Sequence, residues 1–245
     1  SMAHSLVLAF GFWVVLTYFT AFSRVAAWIV FQEYLKIFIM FVVAAILVRT
    51  QRQLWIMFLL TASVLAYISY EVNFLYIAYQ YLGIYHNGYG GLDNNGAGLM
   101  LAMGVPLCYF VWEGQQSNPQ RWKRWLGWAY LAFIPMIIHA VLCTYSRGAM
   151  VSMIGTAPFI LLLSRKRLFL LGLILALVFF VIPVLAGNEI RARFFTIEQN
   201  DIDASAMARR QSWHAAWLIA QDHPFLGVGV RNSPLFTQQY GADME

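Results

Sequence analysis

The chain has 245 residues, of which 61% are hydrophobic, 17% aromatic and 11% charged, with a formal net charge of +5. This apolar share exceeds the roughly half found in soluble domains, so an ordinary globular fold is excluded. Continuous rather than alternating apolar runs argue against a membrane β-barrel, and most basic residues lie in short loops between those runs, where topology rather than nucleic acid accounts for them. The composition reads as an all-α polytopic membrane protein: about seven transmembrane helices and an extracytoplasmic tail with an amphipathic helix.

In chain order, seven runs approach the ~18 to 20 apolar residues that cross a bilayer. They are Leu6–Phe22, Tyr34–Val48, Leu54–Tyr70, Gly96–Trp112, Leu126–Cys143, Ala149–Leu163 and Leu168–Ala186. The second and sixth are short, which admits tilt or partial insertion. Between the first two, "SRVAAWIVFQEYLK" reads as an interfacial helix anchored by Trp28. The third is expected to continue through "EVNFLYIAYQYL". Cys108 and Cys143 give neither metal spacing nor a disulfide framework. Residues 1–186 are therefore taken as a helical bundle and 187–245 as a periplasmic segment.

Basic residues set the orientation. Arg49 and Arg52, then Arg121, Lys123 and Arg124, then Arg165, Lys166 and Arg167 mark alternate loops as cytoplasmic. "GIYHNGYGGLDNNGAG", the "YSRGA" turn and the tail from Gly187 then share the opposite, extracytoplasmic face, which in a bacterium is the periplasmic side. In the tail, "SAMARRQSWHAAWLIAQD" reads as an amphipathic helix. Ser205 is its expected N-cap, Met207, Trp213, Trp217 and Ile219 or Ala220 form its apolar stripe, and "DHP" ends it.

A few polar residues need a reason. Arg147 interrupts an apolar run, and a cation there costs several kcal/mol unless it snorkels, pairs or faces water. It is either part of a snorkelling turn or an anion site, since arginine's rigid five-donor fork suits phosphate oxygens. Arg209 and Arg210 near the start of the tail helix oppose its macrodipole, so they bind headgroups or clamp an anion. Asp93, Asn94 and Asn95 fit helix capping and also suit sugar hydroxyls. His139, two turns before Arg147, is a bundle-interior hydrogen-bonding residue or a proton carrier. No HExxH, GxSxG, P-loop or paired-carboxylate pattern is present.

Three segments in order, "LDNNGAGLMLAMGVPL", "TYSRGAMVSMIG" and "DASAMARRQSWHAAWLIAQDHPFLGVGVRNS", resemble the O-antigen ligase and polymerase superfamily. Within it the likeness points to the exosortase-associated O-glycosylation ligases, over about Ala21 to Asp243. The resemblance implies a metal-independent, cofactor-free glycosyltransferase that takes a glycan from an undecaprenyl-diphosphate carrier. The acceptor would be lipid A core, another glycan or a protein hydroxyl, on the periplasmic face. Arg147 falls on the family's S-R-G arginine and Arg209 on the arginine four residues before the helix tryptophan, here Trp213; both would bind the donor diphosphate. Arg210 occupies a position that is commonly apolar in the family and ranks second.

The family also places a histidine after its Gly-x-Gly loop, proposed to activate the acceptor hydroxyl. No residue after Gly229 is a histidine. The sequence is accordingly read as an internal piece of a longer protein, with the base and further spans expected beyond Glu245. The rival class is a non-enzymatic binder or transporter of lipid or polyprenyl phosphate, which predicts discontinuous helices and polar residues at the midplane. His139 is the one deep candidate of that kind.

Overall fold

The computed structural model describes residues 2–177, 179 and 201–240. Every regular element among them is helical, apart from one antiparallel bridge between Tyr89 and Leu92. Four helical stretches are long and apolar enough to cross a membrane: Arg24–Leu47, Gln51–Tyr79, Asn94–Gln116 and Arg121–Cys143. Ser5–Phe19, Arg147–Leu163 and Arg167–Ala176 are apolar but shorter, so seven full spans are not reached among the described residues. The expected seventh span runs partly outside those residues.

The chain packs as two units, one of residues 1–49 with 197–245 and the other of residues 50–196. In the first, α1 (Met2–Phe19) and α2 (Arg24–Leu47) form a hairpin. Its turn is capped by Ser23, whose side chain accepts from the Ala26 N–H. Tyr18 stacks on Phe31 with ring centroids 4.4 Å apart. The expected interfacial helix is corrected here: "SRVAAWIVFQEYLK" merges with the following span into one 24-residue helix. No Pro or Gly separates them, and helix propagation adds a bond for each further residue.

The tail of this unit supplies α10 (Asp201–Asp222), a short 3₁₀ turn (Ser233–Phe236) and α11 (Thr237–Tyr240), preceded in the chain by α3 to α9 described below. The helix α10 ends at Asp222, as "DHP" predicts, but begins at Asp201, so Ser205 lies inside it rather than at its cap. Ala215 and Ile219 are buried, whereas Trp213 and Trp217 are 73% and 65% exposed. The inward stripe therefore runs through Ala215 and Ile219, and the tryptophans occupy the other face. The Gly-x-Gly loop docks on the α1–α2 turn: Phe22 N–H donates to the Val228 carbonyl at 3.1 Å. Ser23 N–H donates to Oδ1 of the fully buried Asn232 at 2.9 Å. Gly229 has φ +92°, and a Cβ there would lie 2.4 Å from that of Ala21. Glycine is required at this contact on both counts.

The second unit starts with α3 (Gln51–Tyr79), opened by a capping box in which Thr50 Oγ1 accepts from Gln53 N–H and Gln53 Oε1 accepts from Thr50 N–H. It does continue to Tyr79, ending at Gln80 in a left-handed conformation. After the one-turn α4 (Gly83–Asn87) and the Tyr89–Leu92 hairpin come α5 (Asn94–Ala102) and α6 (Gly104–Gln116). These two are one stretch broken at Met103, because Pro106 has no N–H to give Ala102. Helix α7 (Arg121–Cys143) packs most extensively on α6 and α3, while α5 packs on α8 (Arg147–Leu163). A Cβ on Gly104 would sit 3.1 Å from Ile137 and 3.3 Å from Leu65, which shows how closely α3, α6 and α7 converge. The α8–α9 connection, with α9 at Arg167–Ala176, is pinned by one carboxylate. Glu113 Oε1 accepts from Ser164 Oγ at 2.8 Å and from the Arg165 and Lys166 N–H groups at 2.9 and 3.1 Å.

Candidate functional site

Two helix N-termini lie side by side in the second unit. Asp93 caps α5, its carboxylate accepting from Gly96 N–H at 2.7 Å. Ser146 caps α8, its hydroxyl oxygen accepting from Ala149 N–H at 3.2 Å. The approach depends on Gly98, where a Cβ would meet the Ala149 Cβ and Thr144 Oγ1 at 2.8 Å each. Polar bonds then fasten the ends together. Ser146 Oγ donates to Asn95 Oδ1 at 2.9 Å, and Asn94 Nδ2 donates to the Thr144 carbonyl at 3.2 Å.

The turn that carries Arg147 is held from inside. Fully buried Thr144 donates through Oγ1 to the Val141 carbonyl at 2.7 Å and accepts there from Ser146 N–H at 3.2 Å. Tyr145 takes a left-handed conformation, φ 50°, which reverses the chain between α7 and α8. Its ring meets Tyr85 edge-on at 5.1 Å. Arg147 is consequently the first residue of α8, exposed, and has no hydrogen bond or ion pair among the described residues. The backbone N–H groups of Arg147 and Gly148 likewise take no partner among them. A cation at a helix N-terminus works against the macrodipole, so its place there is not explained by helix stability. Free N–H groups, the positive end of the dipole and a guanidinium together form an anion-attracting end.

Asp93 thus acts as a cap, and Asn94 and Asn95 tie α5 to the Arg147 turn. His139 lies elsewhere, 4% exposed within the bundle. Its Nδ1 is 2.5 Å from Asn73 Oδ1 and 3.7 Å from the Cys143 sulfur, and its ring packs on Tyr76 at 5.3 Å. Asn73 in turn donates to the Ser69 and Met136 carbonyls at 2.6 and 2.9 Å. This interior network ties α3 to α7. The hydrogen-bonded reading of His139 is what the geometry displays.

Arg209 and Arg210 stand about two turns into α10, not at its opening, because the helix starts at Asp201. The free N–H groups of a helix end are therefore not beside them. The Arg209 side chain lies outside the described residues. Arg210 is exposed and takes no partner among them.

Sequence reading passed over Glu71, the single acidic residue between Glu33 and Asp93. Its Oε2 accepts from the Tyr89 hydroxyl at 2.8 Å. That bond, together with burial and the carboxylate charge, pushes the Tyr89 pKa up to about 12. A lone acid near the end of an apolar helix was the available signal. Among the described residues no three His, Cys, Asp or Glu side chains gather as metal ligands do.

Against known families, residues 131–245 match the family described as O-antigen ligase, a family of glycosyltransferase-type enzymes. The match includes the Arg147 turn, α8 and the tail helix. Comparison with curated proteins finds no match, and comparison with solved structures finds none either.

Proposed function

From the premise that residues 131–245 belong to the O-antigen ligase family, we propose that this protein transfers a glycan from undecaprenyl diphosphate to an acceptor hydroxyl. The acceptor is lipid A core, a glycan or a protein side chain. The transfer takes place at the periplasmic face of a bacterial inner membrane. The observation that carries the proposal is Arg147: a guanidinium with no partner among the described residues, fixed at a helix N-terminus whose first N–H groups are also free.

In the reaction the acceptor oxygen forms a bond to the anomeric carbon while that carbon's bond to the diphosphate oxygen breaks. The hydroxyl proton passes to a general base. Negative charge gathers on the departing diphosphate, and Arg147 with the α8 terminus stabilises it. Donors fixed in advance where charge develops contribute roughly 3 to 4 kcal/mol each when measured by deletion. Arg209 enters through the resemblance as a second diphosphate ligand, and Arg210 as a weaker one. Asn94, Asn95 and Asp93 border the site and offer amide and carboxylate groups to the donor's first sugar. His139 holds α7 to α3 through Asn73 within the bundle.

The positive end also favours the diphosphate over a neutral lipid, which distinguishes this reading from a passive lipid-contacting surface. Glycan transfer from labelled undecaprenyl-diphosphate glycan, in membranes carrying the protein, tests it. Arg147→Ala and Arg209→Ala are each expected to reduce transfer at least about a hundredfold. Parental rates in both variants would refute the assignment.

A further inference from the structure

A hollow with largely apolar walls and a few polar groups opens at the edge of the bundle core in the same unit, outside the diphosphate site. It holds about 180 Å³ and is lined by Glu71, Tyr76, Tyr81, Asn87, Tyr89 and Cys143, among others. That is the liquid volume of about six waters, enough for one small ring but not for an oligosaccharide. Its roof is α4 and the Tyr89–Leu92 hairpin, and the hairpin leads directly into Asp93. On its other side Cys143 ends α7 four residues before Arg147, and Tyr85 of α4 meets Tyr145 of the Arg147 turn. The hollow therefore lies near the turn that carries Arg147.

The polar groups of the hollow are incompletely used. Tyr89 occupies Oε2 of Glu71, whereas Oε1 has no partner among the described residues. Asn87 donates through Nδ2 to the Tyr81 hydroxyl at 3.0 Å, and its Oδ1 has no partner among them. No cation lines the hollow, and its carboxylate repels phosphate. Hydroxyl donors satisfy both free oxygens, and tyrosine rings present flat apolar faces to the C–H side of a pyranose. Small hollows with apolar walls and a few convergent polar groups are the usual form of a ligand site.

We propose that this hollow is a subsite for one sugar ring of a transferred or accepting glycan, held by hydroxyl donation to Glu71 Oε1 and Asn87 Oδ1. The inference rests on the transferase reading for its ligand, but the site is physically separate from Arg147. Tyr89 is a positioning residue that holds the carboxylate in one orientation.

Binding measurements with the whole protein in lipid nanodiscs test the subsite. Mild acid splits the organism's own lipid-linked glycan and frees its sugar part. The same treatment frees the core oligosaccharide of its lipopolysaccharide. These two glycans distinguish donor from acceptor, and bare undecaprenyl diphosphate serves as the third probe. The parent should bind at least one released glycan, and Glu71→Gln and Asn87→Ala should each weaken that binding by about tenfold. Both variants should hold undecaprenyl diphosphate as the parent does, while Arg147→Ala should show the reverse pattern. Asn87 is exposed, so its variant keeps the test valid if Glu71→Gln folds poorly. Failure of both released glycans to bind the parent, or parental affinity for the bound glycan in both Glu71→Gln and Asn87→Ala, overturns the subsite. A parent that binds released glycan but not undecaprenyl diphosphate would instead sink the Arg147 reading and leave the subsite standing.

Discussion

The Ser146 hydroxyl donates to the side-chain oxygen of Asn95 at 2.9 Å, binding the first turn of α8 to the first turn of α5. The same hydroxyl oxygen caps α8 through Ala149 N–H. One side chain thus both starts the helix that carries Arg147 and fixes that helix to its neighbour.

Ser146→Ala removes the cap and the tie together. Loss of a serine cap costs about 1 kcal/mol, and loss of the Asn95 bond adds about 1 kcal/mol. Thermal unfolding in detergent should shift downward, and glycan transfer should fall although Arg147 is intact. Ser146→Thr, which keeps the hydroxyl, should recover most of both.

Gly98 and Gly155 make a matched pair. A Cβ at Gly98 meets α8 at 2.8 Å, whereas nothing lies within 4 Å of one at Gly155. Gly98→Ala should destabilise by about 1 to 3 kcal/mol through overpacking and spread the two helix ends. Gly155→Ala should be neutral or stabilising by up to about 1 kcal/mol, since alanine is the better helix former. Unfolding curves of the two variants against the parent check the contrast.

Asn73→Ala removes the bond to buried His139, the contact with the Met136 carbonyl of α7 and the one with the Ser69 carbonyl of its own helix. A cost of about 1 to 3 kcal/mol is expected from the polar groups left behind. The measurement is the unfolding midpoint, and a change below a few tenths of a kcal/mol would mean that the network contributes nothing net.

Tyr89 gives a pH signature. Its proton is held more tightly in the folded protein than in the unfolded chain, where the pKa is 10.0. The associated stabilisation is complete below pH 10 and fades as pH rises towards about 12. Phenolate absorption of the parent minus that of Tyr89→Phe should therefore titrate near 12 in the folded state. In Glu71→Gln the same difference should move back towards 10.

The membrane character and most helix boundaries were legible because apolar runs and caps are local signals. Asp93 before "NNGAG" and the extension of α3 to Tyr79 follow from neighbouring residues. What was hidden depends on distant partners. The Ser146–Asn95 and His139–Asn73 bonds join residues 51 and 66 positions apart, and no periodicity announces them. The start of α10 was misplaced because serine is a good cap in isolation, while "DIDA" carries acidic residues that suit a first helical turn. The merger of "SRVAAWIVFQEYLK" into α2 was missed because Glu33 and Lys36 look like an interfacial break. They pair instead at 2.7 Å on the helix surface.

The most direct test of the Arg147 assignment is retention of labelled undecaprenyl-diphosphate glycan by the purified protein in nanodiscs, without acceptor. Arg147→Ala should weaken retention by at least about tenfold, and Arg147→Lys, which keeps charge but loses the fork, should fall between. Parental retention by Arg147→Ala would contradict the account.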